Sequence, residues 1–92
     1  MIVSYEEQQR IRSIVKRDFR INQGFKVLIP DRDIVVKETG EVDMKSSVCL
    51  DKKRRRLPVK FGRVEGVFKV SFGMGLSSLA GAPWMCDSVQ IG

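Results

Sequence analysis

Val67–Pro83 reads VFKVSFGMGLSSLAGAP, and the organisation of the chain follows from it. A short β-rich run, Val67-Phe68-Lys69-Val70, breaks at Gly73 and Gly75, resumes with Leu76 and Leu79, and closes on Gly81-Ala82-Pro83. A weaker copy precedes it, Val48-Cys49-Leu50 followed by Leu57-Pro58, and the start of a third follows, Val89-Gln90-Ile91. Val48 and Leu50 lie twenty positions before Phe68 and Val70, which lie twenty-one before Val89 and Ile91; Leu57 and Leu79 are twenty-two apart. A period of about 20–29 residues with one short strand per unit is that of a leucine-rich solenoid. One strand with two inward side chains cannot bury its own apolar face, so it stacks on the next copy. The three pairs are therefore expected to point into one core as successive rungs.

At these residues the chain resembles a family of small bacteriophage proteins with leucine-rich-like repeats, in which a strand is followed by an asparagine-bearing turn, a Leu-x-x-Leu step and Gly-Ala-Pro. Phe68-Lys69-Val70 matches the strand, Leu76-Ser77-Ser78-Leu79 the step and Ala80-Gly81-Ala82-Pro83 the ending. Leu57–Gly66 is similar to the lead-in placed before a first full repeat. The resemblance spans the chain from Glu41 onward and implies repeat type and phage origin, not an activity. Gly73-Met74-Gly75 stands where the turn asparagine belongs, so no asparagine ladder is expected. Arg54 stands where the first copy would carry an inward Leu.

Upstream, Ser4-Tyr5-Glu6-Glu7 is a capping box, with acidic residues suited to the first turn of a helix. Ile11, Ile14, Val15 and Phe19 recur at helical spacing, and Gln9, Ser13, Lys16, Arg17 and Arg20 fall opposite. The pattern predicts an amphipathic helix from Tyr5 to Ile21, closed near Gly24. Phe25, Val27 and Ile29 alternate to one side of a strand, Pro30–Asp33 turns, and Ile34–Lys37 is a second strand. Glu38–Glu41 turns again with Gly40 suited to positive φ, and Val42-Asp43-Met44 is a third strand. The expected fold is α+β in a single domain, residues 1–92: helix 1–24, a small antiparallel β-hairpin region 25–44, and about two leucine-rich-like β repeats 45–92.

Composition sets the functional limits. Seventeen Lys+Arg against eleven Asp+Glu give +6 and a pI near 9.8, a balance that favours nucleic acid, an anionic surface or an acidic protein. With no histidine, neither the serines nor Cys49 and Cys86 have the base that a nucleophile of the ordinary hydrolase type needs. The two cysteines lack CxxC spacing and read as buried thiols of a reducing, cytoplasmic protein. Asp31, Asp33, Glu38, Glu41 and Asp43 match no metal loop and read as turn formers. Gly73-Met74-Gly75 lacks the third glycine of a dinucleotide fingerprint. No enzyme activity, metal or cofactor is expected. The first residues have neither a basic nor an apolar leader region, so no signal peptide is expected, and no apolar run approaches the about 20 residues that span a bilayer.

Two surfaces remain. Lys52-Lys53-Arg54-Arg55-Arg56 either contacts a polyanion or forms a solvated turn on the convex side of the repeat. With Arg10, Lys16, Arg17 and Arg20 it makes direct nucleic-acid binding the alternative function. Trp84 and Met85 read either as a protein-binding anchor or as the closure of the last repeat. The strand around Val89 and Ile91 is expected to leave a bare edge suited to a homodimer or a partner strand. The favoured expectation is a small non-enzymatic protein that binds a host or phage protein.

Overall fold

The twenty-residue period of the sequence becomes lateral strand register. A computed structural model describes residues 2–22, 25–70, 73 and 75–91. The chain runs as α1 (Tyr5–Asp18), β1 (Phe19–Asn22), β2 (Lys26–Val27), a 3-10 turn (Asp31–Asp33), β3 (Ile34–Val36), β4 (Val42–Met44), β5 (Val48–Leu50), β6 (Phe61–Val70) and β7 (Met85–Ile91). The fold is α+β, one helix followed by a mixed sheet in the order β2-β1-β5-β6-β4-β3, with β7 paired to β6.

β6 is the axis of the sheet. Val64 pairs with Met44 on one side and Cys86 on the other; Phe68 likewise pairs with Val48 and Val89. β4 and β5 therefore run in succession along one edge of β6 and β7 runs along the opposite edge, all parallel to it. Residues aligned across such a ladder share a face, so apolar side chains repeating at this period stack into columns. Val48 and Phe68 are buried within one of them, and Phe61 sits edge-on between Phe19 at 5.1 Å and Phe68 at 5.4 Å.

The β4–β5 edge of the ladder is interrupted at a bulge and again at the gap between the two strands, and a side chain of the preceding layer serves at each. β6 carries an extra residue against β4 between Phe61 and Val64, and another against β7 between Val64 and Val67. A bulge leaves a backbone group without its ladder partner and bends the strand. Asp43 Oδ1 accepts from the Arg63 amide at 3.0 Å and Ser47 Oγ from the Val67 amide at 2.9 Å. Both acceptors lie twenty positions before their donors. Glycine is required at the second break: at Gly66 φ is 152°, and a Cβ would lie 2.4 Å from Ser47 Oγ and 2.9 Å from its amide nitrogen.

The N-terminal third closes one end of this stack. β3 pairs antiparallel with β4 and β1 with β5, while β2 adds two residues beyond β1. α1 lies against β1 and β3, burying Ile11 and Val15. Ser4 Oγ accepts from the Glu7 amide, but the Glu7 carboxylate turns to Arg10 rather than back to Ser4. The outer edge of β3 is covered by helix side chains: Arg12 Nη1 donates to the Ile34 carbonyl at 2.7 Å and Gln8 Nε2 to the Val36 carbonyl at 3.4 Å.

Four expectations are corrected. The helix ends at Asp18, three residues before Ile21, because Phe19 turns extended (φ −121°, ψ 155°) and pairs with Leu50. Phe19 keeps the helical stripe's spacing yet reaches the core from a strand; the expected closure at Gly24 lies outside the described residues. Phe25 is exposed and Ile29 alone of its alternating set is buried, since β2 is too short and too marginal to be covered. Leu76, not Leu79, fills the inner position of the last loop. Val89 and Ile91 align with Phe68 and Val70 but stay half exposed, because nothing among the described residues packs over the third layer.

This layering predicts unequal costs within one column. Phe68→Ala should destabilise by about 3–5 kcal/mol in chemical denaturation, and Val89→Ala by about 1 kcal/mol or less.

Candidate interaction surfaces

The cations of α1 are each engaged within the chain. Arg10 forms a two-point ion pair with Glu7, whose carboxyl is held below its usual range first by that hydrogen bond and then, less strongly, by the arginine's charge. Lys16 pairs with Asp31 at 3.1 Å and Arg17 with Asp18 at 2.9 Å. Arg20 Nη1 donates to the carbonyls of Lys16, Arg17 and Phe19 at 2.7, 3.2 and 2.7 Å, serving the orphan acceptors at the helix end. The basic face expected for nucleic acid is thus largely neutralised.

Asp18 splits the cationic run. Its carboxylate is fully buried and accepts both Arg54 Nε and Nη2 at 3.0 Å, with Arg17 as a further donor. Burial alone would push its pKa up; hydrogen bonds from Arg17 and Arg54, with their charges, outweigh that and hold it below the ordinary value. The Asp18 carbonyl also accepts from the Asp51 amide at 2.8 Å, and Asp51 pairs with Lys26. Arg54, at the position of an inward Leu, reaches a buried carboxylate instead, while Leu57 and Val59 of the same connection enter the apolar core. Lys52, Lys53, Arg55 and Arg56 remain exposed, with no carboxylate partner among the described residues. The Arg55 carbonyl is held by Ser77, which donates its amide at 2.9 Å and its hydroxyl at 3.1 Å.

That contact shows how the last layer is laid down. Gly81 O accepts from the Phe61 amide at 2.8 Å, and the Trp84 amide donates to Gly62 O at 2.9 Å, before β7 pairs along β6. Gly81 has φ 93°, and a Cβ there would meet the Val59 carbonyl at 2.9 Å. Trp84, Met85, Val89 and Ile91 are 66, 48, 49 and 47% exposed. Trp84 does not close the core. Of seventeen Lys+Arg and eleven Asp+Glu, residues 71–92 hold one, Asp87. Among the described residues β7 has no strand beyond it.

The remaining features are small. A groove of about 200 Å³ lies between Cys49, Lys69 and Gln90, and one of about 230 Å³ beside Arg63, Met85 and Asp87. Cys49 and Cys86 are both free thiols, Cys49 buried and Cys86 half-buried. Among the described residues no group of three or more His, Cys, Asp or Glu is placed to hold a metal ion, and no helix is long and apolar enough to cross a membrane. No family model matches the chain, and neither a curated protein nor a solved structure matches it.

Sequence reasoning identified the exposed cations and the C-terminal apolar set but missed Asp18, Asp43 and Ser47. The last two were open to discovery by applying the twenty-residue period to polar positions. Asp18 offered only an isolated acid between Arg17 and Phe19.

Arg54→Gln should destabilise the fold, by less than the about 3–5 kcal/mol of a fully buried pair, because Arg54 is 37% exposed and Arg17 still serves the carboxylate. The folded Asp18 carboxyl lies below its unfolded value, so its contribution is present above that value and is lost as pH falls through the folded pKa. Asp18→Asn should therefore flatten the loss of stability below about pH 4 in denaturant titrations.

Proposed function

We propose that the chain is a small non-enzymatic interaction protein that binds another protein through its third layer, Trp84–Ile91. The observation that carries this is the charge-poor composition of that layer: one charged residue in 71–92, with Trp84, Met85, Val89 and Ile91 exposed on or beside a strand that has none beyond it among the described residues. Sheet edges are normally blunted by charge or a covering element. β3 has such a cover in Gln8 and Arg12. Exposed Trp, Met and aliphatic residues around a free edge have the character of an interface centre, where a partner strand adds main-chain hydrogen bonds. The resemblance of Phe68–Pro83 to phage leucine-rich-like repeats supports a phage-encoded protein acting in the host cytoplasm on a host or phage protein.

A second reading has its own observation. Lys52, Lys53, Arg55 and Arg56 are unpaired on a loop anchored at both Arg54 and Ser77, an arrangement that presents cations to phosphate without spending them internally. It uses a different surface from the first.

The two readings separate experimentally. A tagged chain should capture a protein partner from host cells with or without nuclease, and Ile91→Lys should abolish capture while leaving the melting temperature unchanged. Capture lost on nuclease treatment, or retained by Ile91→Lys, would overturn the first reading. For the second, duplex affinity should fall log-linearly with salt, and changing the four cations to Gln should reduce the slope by about 3; no binding at low salt removes it.

A further inference from the structure

We infer that, when the chain is alone, its third layer pairs with the third layer of a second copy, forming an end-to-end two-fold dimer. This rests on the proposed reading of that layer as a protein-binding surface and names its first occupant.

The argument starts from charge. Each copy carries +6, so two copies repel wherever cations face one another. The surplus lies elsewhere on the chain: Lys52, Lys53, Arg55 and Arg56 belong to the loop of the second layer, while residues 71–92 hold no cation at all. The third layer is thus where a like-charged body meets least opposition. It is also ill suited to nucleic acid, which requires cations, and its single Asp87 provides little to attract a strongly basic partner.

Topology then selects the form of pairing. The opposite end of the stack is closed by β1, β3 and α1, and the outer carbonyls of β3 are already held by Arg12 and Gln8. A head-to-tail addition on β3 finds those carbonyls already engaged, and β2 offers only the two residues Lys26–Val27. The edge of β7 is free of such cover among the described residues, and a strand related to it by a two-fold axis is antiparallel to it. Val89 and Ile91 lie beside Phe68 and Val70, on the face that is buried in the second layer. A two-fold partner continues that face with the same two residues, so both copies remove half-exposed apolar surface from water and satisfy their strand edges together. Binding of a different protein at this end then competes with dimerisation.

Sedimentation equilibrium of the purified chain, from about 5 to about 500 µM, tests this. The expected result is a monomer–dimer equilibrium that tightens as salt rises from about 0.1 to about 0.5 M, because screening relieves the repulsion between the basic bodies. Val89→Lys and Ile91→Lys should each weaken it by about tenfold or more, while both variants still unfold cooperatively at concentrations where the parent chain is a monomer. Independently of any variant, hydrogen exchange at Ser88–Ile91 should slow as protein concentration rises. A monomer throughout, a dimer untouched by both variants, a dimer dissolved by salt or nuclease, or exchange independent of concentration would each overturn the inference. So would a monomer that floats with phosphatidylcholine vesicles, which would assign the layer to lipid. A chain that stays monomeric yet captures a protein through Ile91 leaves the proposed function standing, so the two failures are distinguishable.

Discussion

The backbone ladder on both edges of β6 is the constraint from which the other elements take their places. Phe68 is paired with Val48 and Val89 at once, and Val64 with Met44 and Cys86. Parallel strands cannot be joined by a tight hairpin, so each layer needs a connection long enough to return to the start of the next. Residues 51–60 form the first of those connections, and the described residues 75–84 of the second meet it through Ser77 and Arg55. The same ladder positions β4 and β5 as one interrupted strand, which gives β3 and β1 an edge to pair with and α1 an apolar surface to cover.

Interruptions in that ladder are handled by polar side chains of the layer before. Asp43 takes up the amide of Arg63 at the bulge against β4, and Ser47 takes up the amide of Val67 in the gap between β4 and β5. Backbone donors within a sheet are costly when left unmet, and two small acceptors at matched spacing serve these two. Gly66 is part of the same solution, since any side chain there would collide with Ser47.

Charge is distributed as unevenly as packing. The N-terminal cap uses its cations internally: Arg10, Lys16, Arg17 and Arg20 all hold carboxylates or helix carbonyls. The second layer keeps one arginine of its run for the buried Asp18 and exposes the other four cations. The third layer carries a single charge. One short chain thereby separates a charge-balanced N-terminal part, a cationic loop and a charge-poor layer at β7 with no strand beyond it among the described residues.

How much of this was legible in the residues depends on the range of the interaction. The capping serine, the Pro30–Asp33 turn, Gly40 and the strands at Ile34–Val36 and Val42–Met44 follow from local propensity and turn chemistry. The spacings of twenty and twenty-one among Val48, Phe68 and Val89 are the actual strand register, because these three residues align across β5, β6 and β7. The end of α1 was not legible: at Phe19 a spacing of four satisfies a helical stripe, and only pairing with Leu50 converts that residue to a strand. Nor was the fate of Arg54, since its partner Asp18 lies thirty-six positions away and both residue types read locally as surface. Periodicity likewise placed Val89 and Ile91 in register but left their burial to what packs beyond them. Local sequence marked β3, β4, β5 and the register of Val48, Phe68 and Val89; tertiary structure decided that Phe19–Asn22 and residues 61–66 lie in strands and which layer is covered, because pairing and burial are properties of neighbours that no single segment encodes.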